Sequence, residues 1–165
     1  MNAGKQRGFT YLAFLLFIAI AGAGLAAYGE LASFGAQREK EVELLFRGEQ
    51  YREAIASYYK KEQRYPAKLA DLLEDKRYPM PVRHLRKLYK DPITGEDMAV
   101  VEVPGGGGVM GVYSRSEDEP VKSGNFSMKN QAFAELPAEA RKYSDWKFIH
   151  SPPGLSPAVD KSASK

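Results

Sequence analysis

The chain has 165 residues, enough for one modest domain with extensions, and charged residues make up 27% of it, with a formal net charge of +3. Most basic residues are mixed with acidic ones, as in QREKE and KKEQR, so we expect solvated helix faces and no nucleic-acid partner. The lack of cysteine excludes disulfides and thiolate metal sites, and His84 and His150 have no metal-ligand spacing.

A short basic lead, residues 5–8, is followed by 21 uncharged and mostly apolar residues, 9–29. At about 1.5 Å per residue, a helix of this length spans a hydrocarbon core about 30 Å thick. The pattern alone leaves two interpretations open. One is a secretory signal peptide cleaved near AGAGLAA, and the other is a plain single-span anchor that retains the whole segment.

The junction itself, RGFTYLAFLLFIAI, resembles the class III leader of type IV pilins and type II secretion pseudopilins. In that family a membrane-bound prepilin peptidase cuts after the glycine, the apolar run is retained, and the new N-terminus is methylated. The resemblance therefore implies leader cleavage between Gly8 and Phe9 and N-methylation of Phe9.

Two positions in the apolar run relate to assembly in this family. The fifth mature residue is usually a glutamate, thought to pair with the N-terminal amine of a neighbouring subunit, and here it is Ala13. This departure favours a minor or tip subunit as the alternative to the repeating subunit. Gly22 matches a glycine at which the family's helix can unwind during assembly. The alternative for Gly22 is close packing against a neighbouring helix.

No proline occurs from residue 9 to residue 65, so the sequence predicts one helix through about residue 62, roughly 80 Å long. Its apolar residues form two stripes. The first stripe comprises Leu31, Phe34, Val42, Leu45 and Phe46. The second stripe comprises Leu44, Gly48, Tyr51, Ile55 and either Tyr58 or Tyr59. We expect a C-terminal sheet to cover the second stripe, and Val42 and Phe46 to take part in filament assembly. The alternative is that both stripes pack on one globular domain.

The rest of the chain predicts a small head. Residues 67–74 read as a short helix and residues 78–96 as a proline-rich, basic surface loop. Strands are expected at 98–103, 109–114 and 145–150, with glycines 105–108 as a hairpin connection and Trp146 and Phe148 on one face. The predicted fold class is α+β and pilin-like: a long N-terminal helical spine, transmembrane in its first half, packed on a small antiparallel sheet.

Two further segments narrow the resemblance. LRKLYKDPITGEDMAVV is similar to the part of G-type (major) pseudopilins where a DP.G.P turn precedes the first strand, and RYPAKLADL resembles their segment after the spine. Together with the leader and the spine, the resemblance covers most of residues 1–150 and favours a type II pseudopilin over a type IV pilin.

G-type pseudopilins bind calcium in a loop near the C-terminus. The acidic stretch SRSEDEP supplies the candidate ligands Glu117, Asp118 and Glu119, but it lacks the family's recognisable calcium loop. Calcium requires several oxygen ligands at spaced positions. The alternative for this stretch is a solvated acidic turn.

The resemblance implies a structural subunit and no enzyme, and no nucleophile, acid/base pair or metal cluster suggests otherwise. The expected divisions are a leader (1–8), a transmembrane half of the spine (9–29), a periplasmic half (30–62), a head (63–150) and a disordered tail (151–165). Implied partners are other pseudopilins, the inner-membrane assembly platform, prepilin peptidase and the lipid bilayer, with the head in the bacterial periplasm. The remaining alternative is an unrelated membrane-anchored periplasmic binding module.

Overall fold

The computed structural model describes residues 7–122, 124, 126, 130, 133 and 142–152. Within its first helix, the side chains of residues 7–9 and 23–33 lie outside that description. The chain divides into two compact units, Met1–Glu39 and Lys40–Lys165. Most of the predicted leader, and the predicted disordered tail from residue 153 onward, fall outside the described residues.

Helix α1, Arg7–Glu62, begins two residues before the predicted start and ends where the sequence predicts. Gln63 follows with a left-handed φ of 55° and donates its N–H to the carbonyl of Tyr59 at 2.7 Å, which closes the last turn. Pro66 then prevents the helix from continuing. In the described part of the chain, no helix combines the length and the hydropathy that crossing a membrane would take.

The predicted short helix at 67–74 is a shorter 3₁₀ helix, Leu69–Leu72. The backbone N–H groups of His84 and Leu85 both donate to the carbonyl of Leu72 at 2.9 Å. That carbonyl therefore bonds to the following loop, which explains why the helix stops there. Leu72 is fully buried, so the predicted apolar side of this segment does face the core.

Three antiparallel strands follow in the order β1, β2, β3, with β2 in the centre. They are β1 (Ala99–Glu102), β2 (Val109–Tyr113) and β3 (Phe148–Ile149). A bulge near the end of β1 shifts the register, because Val101 pairs with Gly111 whereas Glu102 pairs with Val109. The α+β class and the small antiparallel sheet predicted from the sequence are confirmed.

The glycine-rich connection between β1 and β2 forms the predicted hairpin. Gly105, Gly106 and Gly108 have φ values of 86°, 78° and 115°, which side chains rarely adopt. The N–H of Val103 donates to the carbonyl of Gly108 at 2.9 Å and closes the loop. Backbone conformation therefore explains why glycine occupies these three positions.

The prediction of a third strand over 145–150 was too long. Tyr143–Asp145 forms a 3₁₀ turn, and the N–H of Trp146 donates to the carbonyl of Tyr143 at 3.1 Å, so that donor is not free for the sheet. Trp146 and Phe148 are both fully buried, and both rings contact Phe133, with centroid distances of 5.7 and 5.3 Å. The predicted common face of these two side chains therefore exists, although only one of them belongs to β3.

Candidate functional site

The second apolar stripe of α1 is buried, under β3 at Gly48 and under the loop before β1 at Tyr51 and Tyr58, so the predicted cover by the sheet holds for part of the stripe. The buried members of that stripe are Leu44, Gly48, Tyr51, Ile55 and Tyr58. Gly48 lies so close to β3 that a Cβ atom there would overlap the ring of Phe148. The missing side chain therefore allows a large aromatic ring to pack directly on the helix backbone.

The first apolar stripe is exposed at most of its described positions. Val42 is 59% exposed and Phe46 is 53% exposed, whereas Leu45 is half-buried against the core. Phe34, in the first unit, is 58% exposed, and the side chain of Leu31 lies outside the described residues. The alternative that both stripes pack on one globular domain is therefore not met at Val42 and Phe46. Their role in assembly stays a prediction.

The first unit carries large apolar side chains on every side of α1. Their exposed fractions range from 44% for Leu15 to 68% for Phe17. The large exposed apolar residues between positions 11 and 20 are Tyr11, Leu12, Phe14, Leu15, Leu16, Phe17, Ile18 and Ile20. Apolar side chains on every side of this segment leave it without a polar face toward water.

The remaining residues that the sequence singled out in the apolar run are also placed. Ala13 is exposed on the helix, and Gly22 has no atom within 4 Å of where its Cβ would lie. Within one chain, neither position is needed for packing. Gly8 and Phe9 belong to the first turns of α1, and their side chains lie outside the described residues. Cleavage and methylation there stay predictions.

A buried carboxylate on α1, missed by the sequence reasoning, holds the chain after β2 against the helix. Glu41 is 1% exposed and accepts hydrogen bonds from the N–H groups of Val121 at 2.5 Å and Lys122 at 3.2 Å. It also accepts one from the hydroxyl of Tyr143 at 2.8 Å. A signal existed, because Glu41 precedes Leu44 by three residues and so extends the buried stripe by one position.

The DPITG sequence forms a tight turn before β1. The buried carboxylate of Asp91 accepts hydrogen bonds from the N–H of Ile93 at 2.9 Å, the hydroxyl of Thr94 at 3.0 Å and the hydroxyl of Ser114 at 2.6 Å. Gly95 has a left-handed φ of 79° and donates its N–H to the carbonyl of Asp91. This turn ties the start of β1 to the end of β2 and explains why both an aspartate and a glycine are needed.

A second buried aspartate joins the proline-rich loop to α1. Arg77 contacts both carboxylate oxygens of Asp75, at 2.8 and 2.7 Å, and its guanidinium lies 3.6 Å from the centre of the Tyr58 ring. These hydrogen bonds from Arg77 hold the pKa of Asp75 well below its usual range. Asp75 is therefore charged at neutral pH and paired within a buried cluster.

His84 completes this cluster. Its side chain is 1% exposed, with Nδ1 at 2.9 Å from the hydroxyl of Ser57 and Nε2 at 3.3 Å from the carboxylate of Asp75. A serine, a histidine and an aspartate are thus in contact, as in hydrolases. Here, however, Arg77 already engages both carboxylate oxygens, so the carboxylate serves an ion pair. The cluster holds the loop on the helix, with His84 packed inside it.

The candidate calcium ligands lie on an exposed turn. The carboxylate of Glu117 pairs with the ammonium of Lys142 at 2.6 Å, and that of Asp118 accepts from the hydroxyl of Ser116 at 2.8 Å. Glu119 is exposed beside them. Among the described residues, no group of three or more histidine, aspartate or glutamate side chains is arranged to hold a metal ion. The calcium prediction gains no support from this geometry.

Comparisons with known proteins found no matching family model, no similar curated protein and no similar solved structure.

Proposed function

We propose that this chain is a structural pseudopilin subunit of a type II secretion system. Prepilin peptidase would remove the leader after Gly8, and the mature chain, anchored in the inner membrane, would join a short periplasmic filament that drives protein export. Assembly of this kind needs apolar helix surface and no catalytic group. The helix-then-sheet order and the leader junction both support this proposal.

The observation that carries the proposal is the division of apolar surface on α1. One stripe is buried in the core of the head, yet Val42 and Phe46 remain more than half exposed, as do most of the large apolar side chains between Tyr11 and Ile20. Burying apolar surface contributes about 25 cal/mol per Å². A single copy in water forgoes this contribution at every one of these exposed side chains. Lipid for residues 11–20 and neighbouring helices for Val42 and Phe46 would supply the missing cover.

A minor or tip subunit is the second candidate, and Ala13 is the observation that favours it. A glutamate at this position would need a cationic partner inside lipid, since an unpaired charge there is costly. Ala13 needs none. A subunit that starts or ends a filament has one neighbour fewer than a subunit within it, so it can do without that contact.

The mature N-terminus tests the proposal directly. The full chain is expressed with a prepilin peptidase and with a known prepilin as positive control, and intact mass is measured. We expect a chain that begins at Phe9 and carries one added methyl group. The matched control, Gly8→Leu, should stay uncut. A wild-type chain that keeps Met1 while the control prepilin is cut, or that starts beyond Leu25, would refute the proposal and leave an unrelated membrane-anchored binding module as the better explanation.

A further inference from the structure

Residues 76–90, called the basic loop below, concentrate positive charge on one surface. They hold six of the chain's 24 lysines and arginines and no aspartate or glutamate. The six are Lys76, Arg77, Arg83, Arg86, Lys87 and Lys90. The two flanking acids, Asp75 and Asp91, are buried and hydrogen-bonded within the head. Asp75 pairs with Arg77, and the hydrogen bonds of Asp91 do not involve the cations of the loop.

The backbone of the basic loop is fixed at several points. Asp75 and Val82 form an antiparallel bridge, and Leu85 is buried in the core at 4% exposure. Near the far end, the N–H of Tyr89 donates to the hydroxyl of Tyr51 at 2.7 Å, and that hydroxyl donates to the carbonyl of Tyr89 at 3.0 Å. A loop held this firmly presents its side chains with little ordering cost on binding.

Most of the loop's cations point outward. Lys76, Arg83, Arg86 and Lys90 are exposed, and in the described part of the chain no carboxylate lies within ion-pair distance of them. Exposed apolar side chains lie among them, with Met80 at 78% and Leu88 at 45%. This surface therefore combines unbalanced positive charge with apolar contact area.

The loop's aromatic rings argue against a single-stranded nucleic acid as the partner. Lys61 lies over Tyr78 at 4.6 Å, and Lys87 lies over Tyr89 at 5.4 Å, while Tyr89 also packs edge-on against Tyr51. Each ring therefore has one face covered by a lysine, which leaves less aromatic surface for base stacking. An acidic protein surface with some apolar area fits the loop better.

The same head carries such a surface on its acidic turn, residues 116–121. Glu117, Asp118 and Glu119 are exposed there, with Glu117 paired to Lys142, and Val121 beside them is 44% exposed. The turn is also fixed in place, because the N–H of Asp118 donates to Ser116 Oγ at 3.2 Å and its carbonyl accepts from the N–H of Tyr143 at 3.2 Å. Its remaining negative charge is opposite to that of the basic loop, and Val121 offers apolar contact area to Met80 and Leu88.

From this match we infer that the basic loop of one copy docks on the acidic turn of the next copy. The inference rests on the proposed filament function and names the head contact that would accompany helix packing. The two patches differ, so the contact joins unlike surfaces and can repeat along an open filament without closing into a dimer. Electrostatic complementarity of this kind fixes orientation and register, while apolar helix packing holds the subunits together.

Cysteine cross-linking tests the contact, since the chain has no cysteine of its own. Two full-length populations, Arg86→Cys and Asp118→Cys, are mixed in membranes and oxidised. We expect at least five times more disulfide dimer from the mixture than from either population alone. Glu102→Cys, an exposed acidic position on β1, replaces Asp118→Cys as the matched control and should stay at background.

Charge exchange adds a second arm to this experiment. Arg83→Glu in the first population, or Glu119→Lys in the second, should each lower cross-linking several-fold, and the two changes combined should restore it. Loss that the combination does not restore would refute the contact. Chemical cross-linking of the wild-type chain into a ladder of oligomers reports filament assembly separately. If the ladder forms and the mixed pair does not cross-link, the loop contact is wrong while the filament proposal stands. If the ladder does not form either, both fail.

Discussion

Replacing Phe46 by glutamate tests most directly whether the exposed face of α1 serves association between subunits and not folding. The Phe46 side chain is 53% exposed in the single chain, and a phenylalanine presents about 200 Å² in all, so about 100 Å² remains for a neighbouring subunit to cover. At about 25 cal/mol per Å², that area contributes about 2.5 kcal/mol to each subunit contact. Its loss alone weakens association about 60-fold, and burying the new carboxylate weakens it further.

The effect of Phe46→Glu on folding should be small by comparison. A half-exposed helix position away from the sheet costs about 1 kcal/mol of unfolding free energy when its apolar side chain is lost. Ile55→Ala on the opposite face provides the contrast, because Ile55 is fully buried and its truncation costs about 3 kcal/mol. Phe46→Glu should therefore lose association between subunits, and Ile55→Ala should lose folding stability.

The assay follows both variants as full-length chains in membranes. Chemical cross-linking measures the ladder of oligomers, and circular dichroism measures the melting temperature. We expect Phe46→Glu to lose the ladder with little change in melting, and Ile55→Ala to melt at a markedly lower temperature. A normal ladder from Phe46→Glu would refute the role assigned to this face. So would a drop in its melting temperature as large as that of Ile55→Ala, since Phe46 would then belong to the core.

Two further predictions concern the head. Gly48→Ala should lower the melting temperature, because overpacking against the Phe148 ring costs about 1–3 kcal/mol and the gain in helix propensity is only about 1 kcal/mol. Phe148→Leu in the same chain should recover part of that loss, and a higher melting temperature for Gly48→Ala alone would contradict the close approach. His150 packs near Tyr59 and Tyr65, and burial, followed by the charge of Arg52, lowers its pKa below 6.5. The unfolded chain then binds the proton more readily, so the unfolding free energy should fall as the pH drops below about 6.5. Urea titrations at pH 7.5 and 5 should show this loss, and His150→Phe should reduce it. An unchanged pH dependence in His150→Phe would exclude His150 as its source.

Much of the fold could be predicted from local patterns. The end of α1 at Glu62, the buried stripe from Leu44 to Tyr58 and the glycine hairpin all depend on spacing or backbone conformation within a few residues. Strand ends were less predictable. The third strand is short because the N–H of Trp146 donates to the carbonyl of Tyr143, and the hydropathy pattern does not predict this hydrogen bond.

The buried acids depended on tertiary structure to a greater degree. Glu41 lies in QREKE, which the sequence predicts as a solvated helix face, and no pattern marked Asp75 or Asp91 as buried. Each of the three is about 1% exposed and accepts several hydrogen bonds. The partners of Glu41 lie 80 or more positions away, so sequence spacing could not identify them. The sequence offered a signal of burial for Glu41, because its position extends the buried stripe of α1. It offered no such signal for Asp75 or Asp91.

The sequence by itself determined which parts of this protein are apolar, where the helix must stop and which turn residues the hairpin needs, because each follows from the chemistry of neighbouring residues. Only the tertiary structure decided which apolar side chains stay exposed and which charges are neutralised. The net charge of +3 is a sum over the whole chain and does not show where the charges lie. Folding buries the aspartates at both ends of the basic loop and leaves the basic loop and the acidic turn as two exposed patches of opposite sign. Burial depends on residues distant in the chain, and for that reason these surfaces emerge only after folding.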